Sequence, residues 1–456
     1  MAGIGFELRK LLKKDTLLGL LQAYTFAGII GSGPWVLSIL GILIIGLLSS
    51  TVVVPSFLVT QFQTSVTYLI ATSLILTGGL QLGFTRFVSD RLFENRDAII
   101  APNLNGVLLL IILVASAVSI IGMFVLLPGT GVIYRILMLA AFVLMCAIWI
   151  MTIFLSGMKR YKAIVALFAI GYAITVSLAL LLRSFGLEGL MAGFVIGHCV
   201  LLAGMWVVTI GEFRPRELVA FDFAKRGAMF SSLLSIGFLY NLGIWADKFM
   251  FWFFPDTSEP IIGALRASLI YDLPVFLAYL SIIPGMAVFM LRIETDFVEY
   301  YDKFYGAVRS GGSLEYIEDM RDEMVYSIKQ GLAEIGKIQT LAVLVTFVVG
   351  PLLLKSLDIS ELYLPLLYIQ VIGASLQVVL LSVLNIFFYL DQRRIILLLC
   401  AEFLLLNILL TGVSLWWGAA LYGYGFALSV LVTLATALAL LDRRLSRLEY
   451  ETFMLQ

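Results

Sequence analysis

Long runs of apolar residues, broken by short clusters of charged or turn-forming residues, recur along the whole chain. Twelve stand out: 23–48, 65–87, 107–127, 132–155, 163–182 and 190–210, then, after a polar stretch at 211–226, 229–254, 268–291, 335–354, 362–390, 395–417 and 420–441. Each has about the 20 residues that an α-helix needs to cross a bilayer. They are continuously apolar, whereas a transmembrane β-strand would alternate residue by residue. The pattern predicts an all-α polytopic membrane protein with twelve transmembrane helices in two six-helix lobes. Expected boundaries are an amphipathic segment at 1–15, an N-lobe at 16–216 and a C-lobe at 217–456 that carries a helical insertion at 292–337.

Composition agrees with that pattern and narrows the function. The chain is 61% hydrophobic and 13% charged over 456 residues, against about 25% charged in soluble domains, which excludes a water-soluble globule. Lys+Arg and Asp+Glu are 30 each, so no basic excess points to nucleic acid. Cys146, Cys199 and Cys400 lie inside apolar runs, which speaks against a disulfide framework or a metal cluster, and no cofactor is expected.

The distribution of the cations is more telling than their number. With the N-terminus inside, 25 of the 30 fall on the cytoplasmic side, and only Arg135, Arg183, Lys248, Arg266 and Lys355 fall elsewhere. The positive-inside rule then places both termini in the cytoplasm. The basic start followed by an apolar run has no small-residue cleavage site, so it is expected to be retained rather than removed as a signal peptide. Ile4, Leu8, Leu11 and Leu12 share one helical face and Arg9, Lys10, Lys13 and Lys14 the other, which suits a helix lying on anionic lipid. An ordinary basic lead into the first span is the alternative.

The halves also carry a short internal likeness. Arg86-Phe-Val-Ser-Asp90 ends the second span and Arg292-Ile-Glu-Thr-Asp296 ends the eighth. Both read Arg-x-x-Ser/Thr-Asp at an offset that maps the first span onto the seventh, as parallel six-helix repeats would.

No phosphate-binding Gly-x4-Gly-Lys-Ser/Thr is present, and the longest stretch outside the membrane, Arg292 to Ile335, is too short for an enzyme domain of ordinary size. The reading is a non-enzyme. In the first span Gly31, Gly33 and Pro34 remove bulk and a backbone donor, so the helix can bend there, as a hinge or as a static feature. Charged residues inside spans cost about 2.5 to 3.5 kcal/mol each at the centre and need partners or water. Asn241, Trp245, Lys248 and Trp252 fall on one face of the seventh helix, and Asp272, Phe276, Tyr279 and Ile283 on one face of the eighth. Lys248 and Asp272 lie at similar depth and can pair, and Asp247 with Arg266 would make a second pair. Aromatic faces beside amide and charged groups suit sugar rings, so Asn241, Trp245, Lys248, Asp272 and Tyr279 form a candidate substrate path. The alternative is a structural ion pair among interfacial aromatics. His198 and Glu402 stand alone in their spans, either as proton relays or as helix–helix hydrogen bonders.

The segment 292–337 holds ten acidic residues against six basic ones, so an anionic membrane would repel it. Ile317, Met320, Met324 and Ile328 recur at helical spacing, and Ser310-Gly-Gly-Ser313 divides the segment into two helices. This stripe either docks a partner or packs on the chain's own helices.

Two N-terminal stretches add a family likeness. Met1-Ala-Gly-Ile-Gly-Phe-Glu-Leu-Arg-Lys-Leu-Leu12 and Gly31-Ser-Gly-Pro-Trp-Val-Leu-Ser-Ile-Leu-Gly-Ile-Leu43 resemble the PelG family. Its members are inner-membrane components of bacterial Pel exopolysaccharide systems, related to the multidrug/oligosaccharidyl-lipid/polysaccharide exporter superfamily. The resemblance implies two lobes forming a V around a central cavity lined mainly by the first, second, seventh and eighth spans. It further implies export of an N-acetylgalactosamine-rich polymer across the bacterial inner membrane. The implied partners are a cytosolic glycosyltransferase, a cyclic-di-GMP-responsive membrane protein, the polysaccharide and membrane lipids. A cation-coupled drug antiporter of the same superfamily, with Asp272 and Glu402 as its candidate carboxylates, and a non-transporting scaffold for the synthase are the competing readings.

Overall fold

The computed structural model describes residues 17–49, 57–158, 160–213, 217–356 and 360–454. The amphipathic segment expected at 1–15 lies outside them. In chain order the helices are α1 (Leu17–Ser49), α2 (Phe57–Phe93), α3 (Ile100–Leu126), α4 (Val132–Gly157), α5 (Tyr161–Leu182), α6 (Gly186–Glu212) and α7 (Ser231–Phe253). A two-stranded antiparallel hairpin, β1 (Glu259–Ile262) and β2 (Leu265–Ala267), follows. After it come α8 (Leu269–Leu280), α9 (Ile283–Leu291), a π-helical stretch Arg292–Phe297, α10 (Val298–Ser310), α11 (Leu314–Ser356), α12 (Leu364–Tyr389), α13 (Arg393–Trp417), α14 (Tyr424–Leu445) and α15 (Leu448–Met454).

Each apolar run becomes one long helix, except the first, whose helix α1 is broken between Ser32 and Val36, and the eighth, which becomes the pair α8 and α9. Pro274 sits inside α8 and Pro284 in the first turn of α9, where its missing N–H costs no helical bond. By length and hydropathy, nine helical segments among the described residues suffice to cross a membrane, or ten if the broken pair in α1 is one span. One of these segments, Tyr161–Glu212, contains both α5 and α6, and α7 completes the set of twelve. The protein is a polytopic α-helical membrane protein.

Packing divides the chain differently from its sequence halves. One compact unit is Pro34–Leu269, here the N-terminal unit. The other combines Met1–Gly33 with Ile270–Gln456, here the C-terminal unit. The compact units therefore divide within α1 at Gly33/Pro34 and ahead of α8, and α7 packs with α2.

The physical reason for α7's placement is backbone proximity. A Cβ on Gly237 would run into the carbonyl oxygen of Gly78, and one on Gly79 would sit 2.6 Å from the Leu234 carbonyl oxygen. In lipid, where helices gain little from hiding apolar surface, such close approach and the dispersion contact it brings is a main source of association. Around this seam the N-terminal unit buries Phe62, Phe84, Phe87, Tyr134, Phe168 and Phe194. The hairpin caps the same unit: Gly263 turns with φ +57° and the Ala264 N–H donates to the Leu126 carbonyl at the end of α3, 2.7 Å away. The continuous apolar pattern had given no sign of strands there.

The C-terminal unit also contains the helical insertion. The eighth span runs on through the π-helical stretch into α10, which ends at Gly311 in a left-handed conformation (φ 69°). The chain then reverses into α11, which continues without a break through the ninth apolar run to Ser356.

Candidate functional site

In the N-terminal unit, α7 sets Asp247 and Lys248 among aromatic rings. Lys248 Nζ lies 3.2 Å from both carboxylate oxygens of Asp247 and donates to the Ile244 carbonyl at 2.9 Å. The two side chains are 0% and 5% exposed, so each charge is compensated where it would otherwise be costly. Lys248 thus has a carboxylate partner on its own helix, and Asp272 lies on α8. The Arg266 guanidinium donates to Ser258 Oγ at 2.9 Å and to the Ser258 carbonyl at 2.8 Å, closing the hairpin loop.

Trp252 is fully buried and stacks on Tyr68 of α2 at 4.4 Å, with Phe249 edge-on at 5.0 Å and Trp245 tilted at 6.2 Å. Trp252 is thereby a core ring, whereas Trp245 and Asn241 are only half-buried. The Asn241 amide donates to the Gly237 carbonyl at 2.8 Å. A cavity of about 130 Å³ in this unit, between α2, α3 and α4, is lined by apolar side chains with Thr72, Ser119 and Arg135.

The C-terminal unit holds a ladder of polar contacts along α12 that sequence reasoning missed. Gln370 donates to the Tyr271 hydroxyl at 2.7 Å, and the Tyr279 hydroxyl donates to Gln377 Oε1 at 2.8 Å. Gln339 of α11 accepts from the Gly285 N–H at 3.0 Å and donates to Ser375 at 3.1 Å. At the end of the ladder Glu294, 4% exposed, accepts from Asn385 Nδ2 at 2.6 Å and from the Tyr389 hydroxyl at 2.9 Å. The signal was available, because Gln370, Gln377 and Asn385 recur at seven and eight residues in an otherwise apolar run and so share a face. Of the path candidates, Tyr279 belongs to this ladder, and Asp272 is half-buried on α8.

Both copies of the Arg-x-x-Ser/Thr-Asp sequence form an i,i+4 ion pair, Arg86–Asp90 at 2.9 Å and Arg292–Asp296 at 2.7 Å. Arg292 also grips Glu334 of α11 with Nε at 2.5 Å and a terminal nitrogen at 3.0 Å.

Gly31 lies against Met290 and Met286, so close that a Cβ added there would sit 3.0 Å from Met290 Cγ. Helix α1 is broken between Ser32 and Val36, the stretch that holds Gly33 and Pro34. His198 is buried against Phe194 and Tyr172, with Nδ1 2.8 Å from the Phe194 carbonyl, the setting of a core ring. Glu402 accepts from Thr436 at 2.9 Å. Ile317, Met324 and Ile328 are buried, and only Met320 of that stripe is half-exposed. The stripe therefore packs on its own unit, where Arg321 bonds Glu449 of α15. The outward face of this part of α11 is Glu315, Tyr316, Glu318, Asp319, Asp322, Glu323 and Tyr326.

Among the described residues no group of three His, Cys, Asp or Glu side chains could hold a metal ion.

A family model described as "PelG: Putative exopolysaccharide Exporter (EPS-E)" matches residues 1–453. No curated protein matches the chain. Solved structures of similar fold include a MATE transporter in the bent conformation, 15% identical, covering 99% of both chains at a TM-score of 0.63. A MOP superfamily transporter from Pyrococcus furiosus is 14% identical over 93% of this chain and 95% of its own, TM-score 0.62. A Vibrio cholerae MATE transporter is 14% identical over 95% of each, TM-score 0.61. At these identities the likeness is one of fold.

Proposed function

Because the chain belongs to the PelG family of exopolysaccharide exporters, we propose that it moves a Pel-type, N-acetylgalactosamine-rich polymer across the bacterial inner membrane, both termini cytoplasmic, within a synthase and transport complex. The carrying observation is the family match over residues 1–453 on a transporter fold. In this reading Asn241 and Trp245 of α7, and Asp272 and Tyr279 of α8, touch the polymer. The Lys248–Asp247 pair holds the local field neutral behind them. Gly31, Gly33 and Pro34 let α1 bend during transport. A cytosolic glycosyltransferase meets the acidic outer face of α11 rather than the buried stripe, and a cyclic-di-GMP-responsive membrane protein completes the complex.

The test removes the chain from cells that keep the synthase. Export predicts polymer accumulating inside and none outside, restored by the wild-type chain and restored poorly by Trp245→Ala at equal protein level. A scaffold would instead leave no polymer made at all, and that outcome would retire the transport reading.

A further inference from the structure

The cavity between α2, α3 and α4 contains none of the residues assigned to transport, and apolar side chains dominate its wall. It holds one charged group, the guanidinium of Arg135. Arg135 stands in the first turn of α4, and Phe142, a second lining residue, is seven positions further along the same helix. At 1.5 Å per residue it lies about 10 Å deeper. Helix α3 runs alongside over the same depth, with lining residue Leu126 at its end and Val118 two turns earlier. The cavity is thus a slot with a cation at its rim and hydrocarbon along its length. Val118 and Leu126 are 44% and 39% exposed, and Leu113, Ile121 and Phe124 on the same helix are exposed as well, so the slot opens beside a surface that suits lipid tails.

We propose that this slot binds one phospholipid molecule, an acyl chain lying between α3 and α4 and the headgroup phosphate held by Arg135. The arginine fork matches phosphate oxygens in both geometry and charge. Its Nε donates to the Thr130 hydroxyl at 3.1 Å, a neutral partner that orients the guanidinium without neutralising it. Snorkelling would explain an arginine near the membrane interface, but not one fastened at the rim of an apolar slot. The two halves of the site select the ligand together. A free phosphate ion would satisfy the cation and leave the slot unfilled, whereas an uncharged alkyl chain would do the reverse. A sugar polymer would set hydroxyls against Met138, Leu139 and Phe142, where they find no partner. Gly122 keeps the slot open, since an added Cβ there meets only Leu126 Cδ1 at 4.0 Å.

The test needs neither polymer nor partner proteins. The full chain, purified in a nonionic detergent, is titrated with dioleoylphosphatidylglycerol, and bound lipid is counted by native mass spectrometry. Wild type should take up one lipid at a saturable site. Dioleoylglycerol, which has the same chains and no phosphate, should bind that site about tenfold more weakly, the loss of one charge-assisted contact. Arg135→Gln should weaken phosphatidylglycerol by a similar factor and leave dioleoylglycerol unchanged. Gly122→Leu, which fills the slot and keeps the arginine, should abolish the saturable site for both. Equal binding of the two lipids to wild type overturns the proposal even if a variant fails to fold. Phosphatidylglycerol binding that survives in a folded Gly122→Leu chain overturns it too, because Arg135 would then hold a headgroup without the slot.

Discussion

The N-terminal unit brings α2 to α7 through backbone, and the C-terminal unit joins α8, α9 and the π-helical stretch to α12 through side chains. In the first, Gly78, Gly79 and Gly237 allow carbonyl oxygens to meet Cα atoms, and the Arg86–Asp90 pair at the end of α2 stays at the surface, 43% and 35% exposed. In the second, Tyr271, Tyr279 and Glu294 reach amides and a hydroxyl on α12, and the corresponding Arg292 gains Glu334 as a third member. The same five-residue pattern thus makes the same local bond twice. What surrounds that bond decides whether it is a surface pair or part of a network. Backbone contact is a rigid fit that tolerates no added atom, whereas a hydrogen-bonded ladder can exchange partners.

The largest effect is expected at the glycine seam. Gly237→Val should cost about 3 kcal/mol or prevent folding, because its Cβ meets the Gly78 carbonyl rather than a yielding side chain. Gly336→Ala on α11, with nothing within 4 Å of its added Cβ, should be neutral or gain up to about 1 kcal/mol. Thermal unfolding in nanodiscs checks both, and equal behaviour of the two variants would erase the distinction between the units.

Next in size is the pair of arginines. Arg292→Met leaves Glu334 and Asp296, both only part-exposed, without their shared cation, for a loss of about 2 kcal/mol. Arg86→Met removes a surface pair and should cost about 0.5 kcal/mol or less. Similar unfolding shifts for the two would mean that Glu334 contributes nothing.

The smallest effect concerns the link that leads into α7. The Asp222 carboxyl accepts from Asn103 of α3 at 3.0 Å and from Lys225 at 2.5 Å, and these bonds hold it below the usual carboxylate value of 3.8. A depressed folded value means stability that is present above about 3.8 and lost as pH falls through the lower folded value. Asn103→Ala should therefore destabilise most at neutral pH, where the Asp222 carboxylate is ionised, and least in acid, so that the acid limb of the stability curve flattens; the effect is modest because solvent screens Asp222. An acid limb of unchanged slope would mean that Asn103 does not tune Asp222.

The insertion shows where periodicity runs out. Spacing placed Ile317, Met320, Met324 and Ile328 on one face, and they share one, but a stripe has the same spacing whether a partner or the chain itself covers it. The structure buries three of the four. Lys248 adds a second lesson: its long flexible side chain meets the carboxylate of its sequence neighbour Asp247, a contact that helical spacing does not single out.

By itself the sequence determined the membrane class, the helices and the family likeness, because a bilayer demands continuous apolar runs of fixed length and every backbone group must be satisfied within its own helix. It also carried the two ion-pair sequences, since i,i+4 contacts are local. Only the tertiary structure decided which helices share a unit, which charges meet, and that Glu294 rather than Glu402 or Asp272 sits buried between neutral donors. Those outcomes depend on contacts between residues about 90 positions apart, as Glu294 is from Asn385 and Tyr389, and no local period encodes them.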